Sequence, residues 1–223
     1  MIASPTKETS PHPQQEDALA YLPRKGVVEY HRKQIIYDEQ HPSNGLSLII
    51  EGRVKVTTTT EHGSQVVTGI FFPDELFGEA VLLGTNREQA QTLERTLLMT
   101  WSLAEIEAQI DRQPKLGTAL IQVLVGRCLD FKERMQSLAL DNTPKRLALS
   151  LIRLASLGTR QSDGAVSIPP LAHQLLSGYI GTSREIVTVQ MNAWRRRGFV
   201  QYSRKAIHIY REALSEHLRN QQT

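Results

Sequence analysis

Gly181-Thr182-Ser183-Arg184-Glu185-Ile186-Val187-Thr188-Val189-Gln190-Met191-Asn192-Ala193-Trp194 is the stretch on which the reading of this chain turns. Val187, Met191 and Trp194 fall at i, i+4 and i+7, one stripe of a helix, and that stripe predicts a buried face. The opposite face carries Arg184, Glu185, Thr188, Val189 and Asn192. Thr182, with Glu185 three residues later, has the pattern of a capping box, so helix is expected to start there, with Gly181 supplying the turn before it. Upstream, Leu171 to Tyr179 follows Pro169-Pro170 and reads as a shorter helix. Two helices joined by a glycine turn, the second opening on polar side chains, predict a helix-turn-helix.

The side chains on that second helix suit the DNA major groove. Arg184 can donate two hydrogen bonds to guanine O6 and N7, and Glu185 can accept one from cytosine N4. Ser183 and Gln174 can bond phosphates, which sets register without reading sequence. Arg195-Arg196-Arg197 closes the helix, where the helix dipole favours cations and where phosphates can also be met. Phe199 to Tyr202 and Ile207 to Tyr210 then read as a hairpin with Arg204 and Lys205 at its tip, the wing of a winged helix. The plainer alternative for Arg184-Glu185 is an ordinary solvated helix start.

Charge is distributed to match. The chain of 223 residues has a net charge of only +3. From Asn142 onward it holds 12 Lys and Arg against 4 Asp and Glu, a balance of +8; Met1 to Asp141 holds 14 against 19, a balance of −5. A basic C-terminal third on an acidic body points to an anionic partner for that third.

Composition narrows the rest. No run of about 18 apolar residues occurs, so no membrane span is expected. The N-terminal residues, rich in Pro, Ser, Thr and Gln, are expected to form a disordered tail over 1–22 and not a signal peptide, which leads to a cytoplasmic location. The one cysteine, Cys128, excludes an internal disulfide and a Cys-ligated cluster. None of the seven histidines pairs with metal-ligand spacing, so no metal site is expected. No nucleophile–base pair or phosphate loop appears, which weighs against an enzyme.

Between Arg24 and Leu103 the pattern is one of strands and turns. Leu46 to Ile50 is rich in Leu and Ile, Glu51-Gly52 supplies a turn, and Arg53 to Thr57 alternates; Val66 to Phe72 forms a further strand before the Pro73-Asp74 turn. Short strands with regular turns predict a small roll or barrel. The period then changes. Gly117, Ile121, Leu124, Cys128, Phe131, Met135 and Leu138 recur at alternating gaps of 4 and 3, the spacing of a helix seam. Paired with a second copy, the seam makes a dimer; packed on its own domain, with Leu120, Val123, Leu129 and Leu138 inward, it makes an ordinary helix. Thr143-Pro144 is expected to cap and open the next helix, with Gly158 to Gly164 a polar loop.

With these residues in hand, the sequence resembles the CRP/FNR family of bacterial regulators from about Gly26 to Tyr210. Leu48-Ile49-Ile50-Glu51-Gly52-Arg53-Val54-Lys55-Val56 is similar to the family's roll hairpin. Leu76-Phe77-Gly78-Glu79 is similar to its ligand-cassette turn, and Gly181 to Glu185 to its recognition-helix signature. The resemblance implies an α+β protein: an N-terminal antiparallel β-roll of jelly-roll, cyclic-nucleotide-binding type over 23–112, a dimerisation helix over 113–141, and a winged helix-turn-helix over 142–223. It implies double-stranded DNA, a second copy and RNA polymerase as partners, with seam residues Ile121, Leu124, Cys128, Phe131, Met135 and Leu138 at the dimer interface.

It also implies an effector pocket at Gly78, Glu79, Gln89, Ala90, Phe131 and Lys132. Gln89-Ala90 stands where cAMP-binding members have the Arg-Ser pair that holds the cyclic phosphate. The missing guanidinium is the bidentate phosphate donor. No cofactor is named on this basis. The effector expected is an unidentified small molecule other than cAMP, and Arg127, Lys132 or Arg134 could meet an anionic one. A roll without any effector and a cAMP-responsive regulator stay open as alternatives. At the position of Val189 many members carry Arg, so the half-site is expected to differ there, with Val189 touching a thymine methyl. Cys128 is expected to act as a small hydrophobe in the seam, with a disulfide across the two-fold axis as the other reading.

Overall fold

The computed structural model describes residues 16–59, 63, 65–84, 87–203 and 205–220. Eight strands form two four-stranded antiparallel sheets. One runs in the order β1 (Val28–Tyr30), β8 (Thr96–Ser102), β3 (Gly45–Glu51), β6 (Leu76–Phe77). The other runs β2 (Ile35–Tyr37), β7 (Glu88–Thr92), β4 (Val54–Thr59), β5 (Gln65–Phe71). The expected roll is therefore present.

Its central strand explains a feature of the sequence. The Leu46 to Ile50 stretch is rich in Leu and Ile and not strictly alternating, because β3 is covered on both faces from Gly45 to Ile49. Leu46 and Leu48 pack with Trp101, Ile106 and Leu116 outside the roll, while Ile49 packs inside it with Tyr37, Val54, Val56 and Phe77. The hairpin to β4 turns at Gly52, whose φ of +90° is a left-handed conformation that glycine adopts without a Cβ penalty.

Two helices close the roll. Ser102 and Glu105 cap each other at the start of α1 (Leu103–Arg112), and α2 (Lys115–Leu140) follows as a 26-residue rod. Leu116 and Ala119 are buried against the roll, with Leu120 and Val123 packed beside them. Further along, Ile121, Val125, Leu129, Phe131, Met135 and Leu138 stand exposed on the single chain, and Cys128 is exposed among them.

The C-terminal unit is α3 (Thr143–Ala155), β9 (Thr159–Arg160), β10 (Val166–Ile168), α4 (His173–Ile180), α5 (Arg184–Arg196), β11 (Val200–Tyr202), β12 (Ile207–Ile209) and α6 (Arg211–Asn220). Its strands form one antiparallel sheet in the order β11-β12-β10-β9.

Several expectations are corrected. Residues 16–22 do not behave as tail: Ala18 and Leu22 are buried, Trp101 donates its indole N–H to Pro23 O, and the Glu16 amide bonds Gln122. Two apolar residues of this segment have a groove between β8 and α2 to fill, which polar composition alone hides. Residues 1–15 lie outside the described residues. Asn142, not Thr143, caps α3, its Oδ1 accepting from the Lys145 amide at 3.0 Å. Asn is as strong a cap as Thr, and taking Thr143 into the helix places Pro144 within its first turn. The Gly158 to Gly164 loop contains β9, because Thr159 and Arg160 pair with Ser167 and Val166.

The two halves also share a core. Val67, Ile70 and Phe72 at the far end of the roll pack into the same cluster as Leu147, Leu151, Leu176, Tyr179 and Trp194. Arg53, almost fully buried, holds Glu94 with two hydrogen bonds at 2.7 and 3.0 Å and donates a third to Pro170 O at 2.9 Å. Such a desolvated guanidinium is tolerated because its donors are matched.

The Gly52 turn supplies a test. A Cβ there would lie 2.5 Å from Arg95 O and from Thr96 Oγ1, at a positive φ. Gly52→Ala is expected to destabilise the chain by about 1–3 kcal/mol, read as a lower urea midpoint with an unchanged slope.

Candidate nucleic-acid interface

α4 ends on a left-handed glycine. Gly181, at φ +70°, and Thr182 both donate their amides to Ser177 O as the chain reverses, while Arg134 and Arg146 donate to Tyr179 O and Ile180 O. Ser183 then caps α5, its Oγ accepting from the Ile186 amide at 3.4 Å. The expected cap at Thr182 is therefore one residue early. Thr182 is spent on the turn that closes α4, and Ser183 is the first residue free to take the extended cap conformation (φ −85°, ψ 155°).

Rotation of α5 about its own axis is fixed from below. Val187 and Met191 are fully buried and Trp194 nearly so, as expected. The other face is open. Arg184, Glu185 and Val189 are exposed, Val189 to 68%, while Thr188 and Asn192 are half-buried. Glu185's own amide and the Ser183 hydroxyl hold its carboxyl below the ordinary carboxylate range. Its carboxylate is an acceptor at neutral pH. The same interaction, with the cap, engages the Ser183 hydroxyl within the helix start.

Two predicted contacts prove to be committed inside the protein. Thr188 Oγ1 donates to Arg184 O at 2.9 Å and meets His173 Nδ1 at 2.8 Å. Asn192 Oδ1 accepts from the Tyr202 hydroxyl at 3.2 Å, and Arg195 lies over the Tyr202 ring at 5.5 Å. These bonds tie α5 to α4 and to the β11–β12 wing. Gln174 is exposed on the first turn of α4. Lys205 is at the wing tip, where its amide bonds Ser203 Oγ; Arg204 lies outside the described residues. The sequence reading missed His173 and Tyr202 because both act across separations that no local pattern reports.

The roll's candidate pocket is assembled only in part. Gly78, at φ +93°, sits where a Cβ would come within 2.9 Å of Gly45 O, and Glu79 follows in a short 3-10 turn. Ala90 is fully buried on β7, opposite Tyr37 and Val56, and Gln89 is half-buried beside it. Phe131 and Lys132 of α2 do not join them within the chain. Phe131 lies under Arg134 at 5.6 Å and Lys132 is exposed.

The residue of α2 that does reach the turn is Arg127. It forms an ion pair with Glu79, donates to Leu76 O, and lies 5.0 Å from the Phe71 ring. Glu88 stands nearby, its carboxyl pushed up by burial and by the Glu79 charge. Tyr37 Oη is buried among these groups with no hydrogen-bond partner among the described residues. The cavity bounded by Leu76, Glu79, Leu124 and Arg127 holds about 20 Å³.

A second cation links roll and DNA unit. Arg134 donates to Thr68 O (2.7 Å) and Val67 O (3.2 Å) of β5 and to Tyr179 O (3.1 Å) of α4, and lies 4.1 Å from the Tyr179 ring. Arg153 of α3 pairs with Asp130 and Glu133 of α2 at 2.5 and 3.1 Å. Arg127 and Arg134 are therefore fixed by protein partners and are not solvated flanking charges.

Comparison with known proteins agrees with this geometry. Residues 27–113 match the cyclic nucleotide-binding domain model, and residues 145–216 match the Crp-like helix-turn-helix domain. The chain belongs to the CRP/FNR family of transcription regulators. A CRP-like cAMP-activated global transcriptional regulator of Mycobacterium tuberculosis is 24% identical over 185 residues, 82% of this chain and 83% of that one. Among solved structures, FixK2 of Bradyrhizobium japonicum gives a TM-score of 0.75 at 17% identity, covering 86% of this chain and 96% of that one. A CRP/FNR-family transcriptional regulator of Thermus thermophilus gives 0.67 at 22% identity, covering 86% and 97%. The family is one of DNA-binding transcription regulators and not of enzymes. Among the described residues no helix is long and apolar enough to cross a membrane.

The cap assignment is testable. Ser183→Ala is expected to cost about 1 kcal/mol of stability, and Thr182→Ala only a few tenths. Equal losses in thermal melts of the two variants would return the cap to Thr182.

Proposed function

We propose that this regulator binds palindromic DNA as a homodimer in the cytoplasm, engages RNA polymerase there, and is controlled by a small molecule other than cAMP. The observation that carries the DNA part is the fixed rotation of α5. Three buried side chains hold one stripe down, so Arg184, Glu185 and Val189 must face outward. Arg184 and Glu185 read one G·C pair, and Val189 offers only methyl groups to the neighbouring step.

Dimerisation is supported by α2. Ile121, Val125, Leu129, Met135 and Leu138 leave an apolar strip along a helix whose other face is already packed on the roll. A strip of this length is covered in a stable protein. A second copy related by a two-fold axis presents the same strip and, with it, a second α5. Two such helices about 34 Å apart fit successive major grooves.

Control by an effector other than cAMP is supported by Gln89-Ala90 in place of a phosphate-binding pair, and by the Glu79 and Glu88 carboxylates beside Arg127. One observation favours the effector-free alternative: the cavities at Arg127 hold about 20 Å³ beside Glu79 and about 200 Å³ beside Phe71 and Phe131, against roughly 300 Å³ or more for a typical ligand pocket; the larger space, about 630 Å³, is the cleft at Glu88 and Gln89. A thermal-shift screen of the full chain separates the readings. A metabolite that raises the melting temperature where cAMP does not supports control; a rise with cAMP alone refutes it.

Two variants test the rest. Arg184→Ala is expected to cost about 1–3 kcal/mol in binding to a selected duplex and to relax preference at one base pair. Loss of the same size on random DNA would make Arg184 a phosphate contact. Met135→Glu, at a side chain 65% exposed in the single chain, is expected to leave the fold intact and give monomers in sedimentation; an unchanged dimer would move the seam elsewhere.

A further inference from the structure

His173 opens α4 and lies between the two parts of the DNA face, its Nδ1 against Thr188 of α5 and its ring edge-on to Tyr202 of the wing, 6.2 Å between centroids at 82°. The direction of its hydrogen bond can be deduced. A threonine hydroxyl has one proton to give. Thr188 gives that proton to Arg184 O, so in the contact with His173 its oxygen accepts and the imidazole donates. The neutral ring is therefore the Nδ1–H tautomer, and Nε2 carries a bare lone pair.

Nε2 has no hydrogen-bond partner among the described residues, and the ring is only half-buried. Beside a phosphate, a bare lone pair faces another acceptor and is repelled. With a proton on Nε2 the same ring becomes a cation that donates to a phosphate oxygen, a charge-assisted bond. The Leu175 and Leu176 amides of the first turn of α4 are taken by Ala172 O, which leaves those of His173 and Gln174 to favour an anion at the start of the helix.

We propose that this protein takes up a proton at His173 when it binds DNA, so that its grip on DNA tightens as pH falls. The proposal rests on the reading of α5 and the wing as the DNA face. In the free chain the ring is neutral near pH 7: partial burial, and then the Arg184 guanidinium, hold it below the ordinary imidazole range. Arg184 from α5 is the charged group that acts on it, Tyr202 from β11 the titratable one in ring contact, with Arg195 over that tyrosine. A phosphate placed against Nε2 acts in the opposite sense and raises the bound-state pKa.

The sign follows from that order. A group that binds its proton more tightly in the complex makes the complex more stable as pH falls from above the bound pKa to the free one, and adds nothing further below both. The device makes DNA occupancy responsive to acidification, and the titrating group is next to the base-reading Arg184.

The test is the affinity of the full-length protein for a selected duplex, by fluorescence anisotropy at constant ionic strength, from about pH 8 to about pH 5.5. The wild type is expected to show an affinity rising by up to about tenfold per pH unit per subunit between the two pKa values. His173→Gln keeps an amide donor and cannot titrate; it is expected to bind with a flattened pH profile. His173→Asn keeps a donor for Thr188 and loses the reach to phosphate; it is expected to be flat and weaker at the acid end. Thermal melts at each pH confirm folding of both. Equal pH slopes in wild type and both variants would overturn the proposal. Failure of the wild type to bind any duplex at any pH would instead overturn the DNA reading on which it rests.

Discussion

Everything at the DNA face depends on the rotation of one helix. α5 is held by Val187, Met191 and Trp194, which are buried in the same cluster as Leu176, Ile180 and Val200. Turning the helix by even one residue position, about 100°, would expose an indole and bury a guanidinium. The hydrophobic stripe thus aims the polar one. The Schellman-type turn at Gly181 and the Ser183 cap set where the helix begins, and the Thr188–His173 and Asn192–Tyr202 bonds brace it against α4 and the wing. The residues proposed to read DNA and those that brace the helix lie on adjacent lines of α5.

The second constraint joins this reader to the roll. β5 and the residue after it contribute Val67, Ile70 and Phe72 to the core of the DNA unit, and the Arg134 guanidinium bonds carbonyls on both sides of the junction. Arg53 makes a further link to Pro170. A movement of α2 relative to the roll therefore acts on α4, whose C-terminus leads directly into the turn before α5. Arg127, seven residues before Arg134 on the same helix, is anchored to Glu79 in the roll. A ligand that competed for Arg127 would pull on the helix that carries Arg134, which is a physical path from roll to reader through one rigid element.

The sequence was most legible where spacing is local. The α5 stripe, the Gly52 hairpin and the extent of α2 all follow from periodicity or from turn residues within a few positions. Errors of one residue arose where two good caps stand side by side, as with Thr182 and Ser183 or Asn142 and Thr143; only the bonds made by the neighbouring turn decide between them. What could not be read were the long-range pairs: Arg127 with Glu79, Arg134 with β5, His173 with Thr188, and Leu22 in its groove. A lone arginine in a helix has the same appearance whether it is solvated or bonded to a carbonyl fifty residues away. The seam of α2 is intermediate. Its apolar spacing is plain, but its exposed line includes Val125 and Leu129, which strict heptad gaps from Gly117 pass over.

The central claim is that the outward face of α5 lies on base edges, twice, across a two-fold axis. Protection of guanine N7 from dimethyl sulfate, on a duplex selected from random sequence by the purified protein, tests it most directly, since N7 lies in the major groove. The account predicts two protected patches of equal strength, symmetric about a dyad and centred about 10 base pairs apart. A single patch, or protection without a dyad, would contradict it.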